Sequence, residues 1–453
     1  MDKSQERKYQ VMTETPVRQL VCRLAVPTII SMLITSFYNM ADTFFVGRIG
    51  TSASAAVGVV FPLMAVIQAV GFFFGHGSGN YISRALGGQD TDTAGKMAAT
   101  GFFSALIGGT VIMITGLILL KPLAVWLGST ETILPYAMDY MRIILIGAPY
   151  MTASLVLNNQ LRFQGNAVYG MVGITSGAIL NIALDPLLIF VCGMGISGAA
   201  LATILSQFVG FALLWMGTRR GGAIPIHLRN FRPKWRYFRI ILNGGSPSLL
   251  RQGLGSVATI CLNHSAGVYG DVAIAGMSIV TRIMQFAYSC LIGFGQGFQP
   301  VCGFNYGAKK YGRVKEAFWF CVRLSTVVLI VLAVIGYVFA PSIVAVFRDD
   351  PGVITVGTVA LQMQCLSFPL AAWIVMCNMM SQTIGKAVRA SFLAMSRQGL
   401  FFIPLVLLLP RFMGLFGVEI SQALSDVISF AVAIPLQAGL LREMALEERA
   451  WTK

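Results

Sequence analysis

The sequence predicts an all-α membrane protein, with twelve transmembrane helices in two pseudo-symmetric six-helix bundles around a central cleft. Three observations carry that expectation. Of 453 residues, 56% are hydrophobic and 11% charged, with a mean hydropathy of +0.74, which is more apolar surface than a soluble fold hides. Apolar windows of roughly 20 residues, the length that crosses about 30 Å of hydrocarbon, recur along nearly the whole chain. The chain also repeats itself at an offset of 220 residues, which places Pro27 on Pro247, Gly47 on Gly267, Gly50 on Gly270, Met64 on Met284, Gly87 on Gly307, Pro149 on Pro369 and Gly165 on Gly385. Gly and Pro at matched positions imply matched kinks and matched close approaches of helices.

The windows of the first half fall near residues 24–45, 53–78, 97–120, 136–156, 168–191 and 197–217. Those of the second half fall near 240–265, 272–300, 317–340, 353–379, 391–410 and 414–440. Residues 1–217 are thus expected to form an N-terminal six-helix lobe, 218–239 a basic linker, and 240–453 a C-terminal six-helix lobe. An even number of spans per half makes the repeats parallel, an arrangement suited to alternating access.

Orientation follows from the basic residues in short loops, because Lys and Arg beside a span resist translocation. One side collects Lys3, Arg18, Arg84, Lys96, Arg162, Arg219, Arg229, Arg232, Lys309, Lys310, Lys386 and Arg442, whereas the other keeps Arg48, Lys121, Arg348 and Arg411. Both termini and the 218–239 linker, TRRGGAIPIHLRNFRPKWRYFR, are therefore expected in the cytoplasm, with the chain in a bacterial inner membrane. The linker is read as an orientation signal that also touches anionic lipid. The first twenty residues are polar and lack the short apolar core of a cleavable signal.

A net charge of +15 raises nucleic acid as a partner, but the basic residues sit in short connectors, and no nucleic acid is expected. Eight scattered cysteines form no C-x-x-C pair, and His76, His227 and His264 share no zinc spacing. With no nucleophile elbow or P-loop either, neither an enzyme, a metal site nor a resident cofactor is expected. The Gly-rich stretches 71–81 and 293–307 follow no strand, and small residues at four-residue spacing are better read as close helix packing in lipid.

A charge inside the bilayer is costly, so each intramembrane ionisable group is a functional candidate. Asp42 lies in the first window with Tyr38 one turn before it, and Asn181 precedes Asp185 by four residues in ILNIALDPLL, so each pair shares a helix face. Two acids in one half, each with a hydrogen-bonding partner a turn away, suit a shared cation or proton site. Pro186 also frees the carbonyl of Ile182 as an extra ligand. Arg142 has Asp139 one turn away as its neutralising partner, whereas Arg251 and Arg282 have no local partner: snorkelling to an interface or pairing is the first expectation, and lining the second half's cavity or binding an anionic headgroup are the alternatives.

Pro27, YNMADTFFVGRIG at 38–50, RALGGQD after the second window, FQGNA at 163–167, NIALDP at 181–186, and the FNYGAKK and TIGKA loops together resemble the multidrug and toxic compound extrusion (MATE) family over almost the whole chain. The resemblance implies cation-coupled antiport of organic, often cationic and polyspecific, solutes by two six-helix lobes that open alternately. It implies that Asp42, Asn181 and Asp185, with Tyr38 and Thr203 as neighbours, form a coupling site in the first lobe. It also implies that Pro27, with its repeat partner Pro247, is a conformational hinge. The sequence departs from the sodium-coupled branch in its second half: the glutamate about two turns after Pro247 is replaced around Gly255, and no acid lies between Val353 and Met379.

The expectation is thus a monomeric antiporter that exports small organic solutes in exchange for a proton or sodium, in contact with membrane lipids. The alternative is a flippase for a lipid-linked precursor, with Arg251 and Arg282 holding a phosphate. A membrane-embedded enzyme lacks any catalytic constellation.

Overall fold

A computed structural model describes residues 3–220 and 223–451. Lys3–Glu14 is a polar surface helix, and the chain then crosses back and forth as long helices. Spans 1 to 6 are Val17–Gly47, Thr51–Gly87, Thr91–Ile118, Leu134–Phe163, Ala167–Val191 and Gly195–Gly217. Spans 7 to 9 are Trp235–Gly267, Asp271–Gly307 and Tyr311–Val338. Span 10 is the pair Pro351–Ser367 and Leu370–Thr383, span 11 is Ala387–Met413 and span 12 is Leu415–Trp451. The linker's residues 221 and 222 lie outside the described residues.

Ten of these helices are apolar and long enough to cross a membrane by themselves, and span 10 joins them as a pair bent by 57°. The bend follows from Pro369, which lacks the N–H that would continue the helix. Pro149, its repeat partner, lies within an unbroken span 4. Span 7 is long but less apolar, because its middle, NGGSPSLLRQGLGS at 243–256, is rich in polar residues and glycine.

Spans 2 and 8 run well past the apolar windows at 53–78 and 272–300. Their polar ends are buried: Ser78, Asn80 and Ser83 in span 2, and Gln296, Gln299 and Asn305 in span 8. The sequence stops being apolar there because the two bundles, rather than lipid, cover these turns. Arg162 is placed differently from the loop position expected for it. It lies at the end of span 4 with 2% exposure, buried between the bundles. Nor does Asp139 neutralise Arg142, since no ion pair joins them and both side chains are exposed.

The repeat is visible as geometry. Gly165 and Gly385 take φ of 81° and 87°, in the left-handed region that glycine enters without strain. Gln89 and Lys309, also 220 apart, take φ of 60° and 59°. At the end where the basic residues collect, hereafter the basic end, the halves meet symmetrically. A Cβ on Gly87 would collide with the Phe304 carbonyl, and one on Gly307 with the Arg84 carbonyl. Residues 84 and 304 are themselves repeat partners, so one contact is made twice about a pseudo-two-fold axis.

Polar contacts reinforce that seam. Arg84 donates to the Thr383 carbonyl, and Thr28 Oγ1 donates to the Gly293 carbonyl at 2.6 Å. The surface helix is tied to the second bundle by Asn305 Nδ2, which donates to the Met12 carbonyl at 3.1 Å. The linker is tied to the first bundle, where Ile224 N–H donates to Gln164 Oε1 at 2.7 Å. Away from the basic end, the last contacts between bundles are Ser36 with Ser289 at 3.1 Å and Phe37 edge-on to Phe286 at 5.6 Å. Beyond those, no hydrogen bond, ion pair or ring contact joins the bundles among the described residues.

Backbone contact at the seam leaves no room for a methyl group, and overpacking of this kind costs about 1–3 kcal/mol. Gly307→Ala is therefore expected to loosen the basic end. Water-soluble maleimide labelling of the native, fully buried Cys302, read by mass spectrometry, should rise several-fold; unchanged labelling would contradict a seam set by glycine.

Candidate functional site

Within the first bundle, spans 1, 4, 5 and 6 enclose a polar group of residues in otherwise apolar surroundings. Span 5 ends its regular α-helix at Pro186 and continues as a π-helical turn, Leu187–Val191. Such turns redirect side chains and often mark functional positions. Asp185, just before the turn, is fully buried, and Asn181, one turn earlier on the same face, is 1% exposed.

Asn181 bridges two elements. With its amide oriented to satisfy both atoms, Nδ2 donates to Asp185 Oδ2 at 3.0 Å and Oδ1 accepts from the Thr203 backbone N–H at 3.3 Å, linking spans 5 and 6. Asp42 arrives from span 1 within hydrogen-bonding reach of Asp185. Tyr38, one turn before Asp42, lies against both carboxyls and reaches Thr203 and Gln207. Tyr140 of span 4 closes the group: it lies near both aspartates and Thr203, and its hydroxyl sits 3.8 Å from Met64 Sδ.

The structure thus brings together Tyr38, Asp42, Asn181, Asp185 and Thr203, five residues drawn from three spans. Arg48 does not join them; its guanidinium lies 5.0 Å over the Phe44 ring. Two further members, Tyr140 and Gln207, were not singled out from sequence. Gln207 sits four residues after Thr203, so helical spacing from Thr203 signals it. Tyr140, 1% exposed, carries no such signal and reads as a packing aromatic.

Asp42 Oδ1 and Asp185 Oδ1 are buried without any hydrogen-bond partner. Two carboxylates in one buried site do not ionise together freely, so the pair accommodates a proton between them, or a cation held by its several oxygens. The donor set is all oxygen, from carboxyl, amide, hydroxyl and phenol groups, which suits a proton or a hard monovalent cation better than a soft metal.

The remaining expected site residues lie elsewhere. Pro27 and Pro247 are buried within spans 1 and 7, where each removes one helix hydrogen bond beside the glycine seam. Arg251 lines a cavity in the second bundle, while Arg282 is exposed on span 8 and is not part of that lining.

Two stretches, 27–187 and 247–408, match the MatE family, one in each half. The chain is 26% identical to the multidrug export protein MepA of Staphylococcus haemolyticus over 437 residues, covering 96% of each chain. It resembles a solved MATE structure in the bent conformation, with a TM-score of 0.91 and 26% identity, covering 98% of this chain and 99% of the other. It also resembles an outward-facing conformation of a multidrug resistance MATE family transporter of the MOP superfamily, with a TM-score of 0.90 and 26% identity, covering 96% and 98%.

Proposed function

The chain belongs to the MatE family, and from that premise we propose that it is a multidrug efflux transporter that exchanges an entering cation for a departing organic solute. The observation that carries the coupling reading is the Asp42 and Asp185 pair, two carboxyls in mutual reach with one buried oxygen each left unpartnered. A proton is the first choice of coupling ion and sodium the second. The second bundle supplies no equivalent acids: the 220-residue offset places Leu262 opposite Asp42 and Leu405 opposite Asp185.

Alternating access follows from the two-bundle architecture. The present state is closed at the basic end by the glycine seam, and the polar and ring contacts between bundles stop at Ser36 with Ser289 and Phe37 with Phe286, which supports reading the other end as the open one. Lys and Arg in the short connectors argue that the basic end, with both termini and the linker, faces the cytoplasm, so the cleft opens outward. Coupling requires that cation and solute favour opposite-facing states or exclude each other, because a ligand that binds both states equally shifts nothing. Pro27 places a break in helix bonding four turns before Asp42. Bending of span 1 there is the motion by which occupancy of the carboxyl pair reaches the seam.

Asp42→Asn and Asp185→Asn keep size and most hydrogen bonding but remove the titrating proton. Each is expected to abolish uphill export in proteoliposomes with pH and sodium gradients imposed separately, while insertion and monodispersity are kept. Normal gradient-driven export by both variants would overturn the coupling assignment. Orientation is checked separately: a cysteine introduced at Pro225 should resist a membrane-impermeant maleimide added outside intact cells, and ready labelling there would reverse the topology.

A further inference from the structure

The second bundle carries a small cavity of its own, with charged and amide groups set in a mostly apolar lining. Arg251, Tyr288, Asn378, Arg397 and Gln398 contribute to the lining of this open-mouthed cavity of about 40 Å³ between spans 7, 8, 10 and 11, room for a single small group rather than a whole solute. Span 11 departs from α-helix here as well, through the π-helical turn Ser396–Leu400, which aims Arg397 and Gln398 at the cavity.

The charges there do not balance. Arg397 is matched: Nε donates to Asp426 Oδ1 at 2.7 Å, and its guanidinium lies 4.5 Å over the Tyr288 ring. Asp426 is in turn saturated, accepting also from Gln422 Nε2 at 3.0 Å and Ser367 Oγ at 3.1 Å. Arg251 has no such match, and no carboxylate lies within ion-pair distance of it among the described residues.

A second guanidinium deepens the imbalance. Arg162 is buried, and its partners carry no charge: the Gln296 carbonyl at 2.9 Å, Gln299 Oε1 at 2.9 Å, Asn159 Oδ1 at 2.6 Å, His76 Nε2 at 3.3 Å and the face of the Phe163 ring at 4.5 Å. Its Nε has no partner. Arg162 and Arg251 stand close enough to feel each other's charge, and neither has a carboxylate within ion-pair distance among the described residues. Isolated charges in such surroundings are costly unless a counter-charge arrives.

We propose that the Arg251 cavity is a binding subsite for an anionic group, a carboxylate or phosphate, with Arg251 as its charged donor and the Gln398 amide beside it. The first bundle then handles the coupling cation through its acids, while the second selects solutes through a negative group. Zwitterionic or anionic amphiphiles become a preferred substrate class rather than simple organic cations. This rests on the reading of the chain as a solute exporter, but its test is binding alone, so failure of coupled transport leaves it standing and its own failure leaves the Asp42 and Asp185 assignment untouched.

The probes are dansylglycine and dansylamide, which share a fluorophore and differ in the carboxylate. Binding to the purified full chain in phosphatidylcholine nanodiscs is read by fluorescence. Wild type should prefer dansylglycine by about tenfold, the order expected for one charge-assisted hydrogen bond. Arg251→Gln should erase that preference and Arg251→Lys retain part of it, whereas Arg282→Gln, at an exposed position outside the lining, should leave it unchanged. A parallel arm in phosphatidylglycerol nanodiscs, read by native mass spectrometry, separates the two sources of anion. If Arg251→Gln loses retained phosphatidylglycerol while wild type shows no dansylglycine preference, the anion is a lipid headgroup. A wild type that neither prefers dansylglycine nor retains phosphatidylglycerol, or an Arg251→Gln variant that does both as wild type does, overturns the proposal.

Discussion

Hydrocarbon offers a buried polar atom no water, so each such atom needs a partner, a proton or an ion. The arrangement of the first bundle follows from that constraint at Asp42 and Asp185. Span 5 abandons α-helix after Pro186, and Asn181 spends its amide on Asp185 and on the backbone of span 6. Tyr38, Thr203, Gln207 and Tyr140 supply hydroxyl and amide groups around the carboxyls. Even so, one oxygen of each carboxyl stays unpartnered. A fully satisfied network would be rigid and inert.

The same constraint acts differently between the bundles. There the backbones come into direct contact through Gly87 and Gly307, while the polar side chains of spans 2 and 8 bond within their own helices, to Gln160 and Arg162 of span 4, and to the Met12 carbonyl. The seam is made of backbone contacts and hydrogen bonds, without an inter-bundle ion pair among the described residues. It is therefore short-ranged: a small separation breaks many contacts together, as expected of an interface with two discrete arrangements rather than a continuous range. Pro27 and Pro247 place a weak point in helix bonding on each side of it.

Much of this was legible in sequence, for identifiable reasons. The spans were visible because lipid tolerates few charges, and the repeat was visible because Gly and Pro are dictated by backbone geometry, so Gly87 and Gly307 aligned before they were seen to make equivalent contacts. Asn181 and Asp185 declared themselves by four-residue spacing. What hydropathy could not resolve was protein-covered surface inside the membrane. Ser78, Asn80 and Ser83 look like the end of a helix when they are its buried continuation, and Arg162 looks like a loop cation when it is an inter-bundle anchor. Tyr140 is a further case, since an aromatic in an apolar window has no pattern that separates packing from a site. The 57° break in span 10 was likewise hidden, because Pro149 and Pro369 read alike and only their surroundings differ.

On the proposed coupling, the Asp42 and Asp185 pair holds an exchangeable proton that solute binding displaces. Solute-induced infrared difference spectroscopy of the purified transporter, recorded in H2O and D2O, observes protonated carboxyl groups directly. The account predicts a deuterium-sensitive protonated-carboxyl band that is lost when solute binds and is missing from the Asp42→Asn, Asp185→Asn double variant. Solute binding that leaves the carboxyl region of the wild-type spectrum unchanged would contradict it.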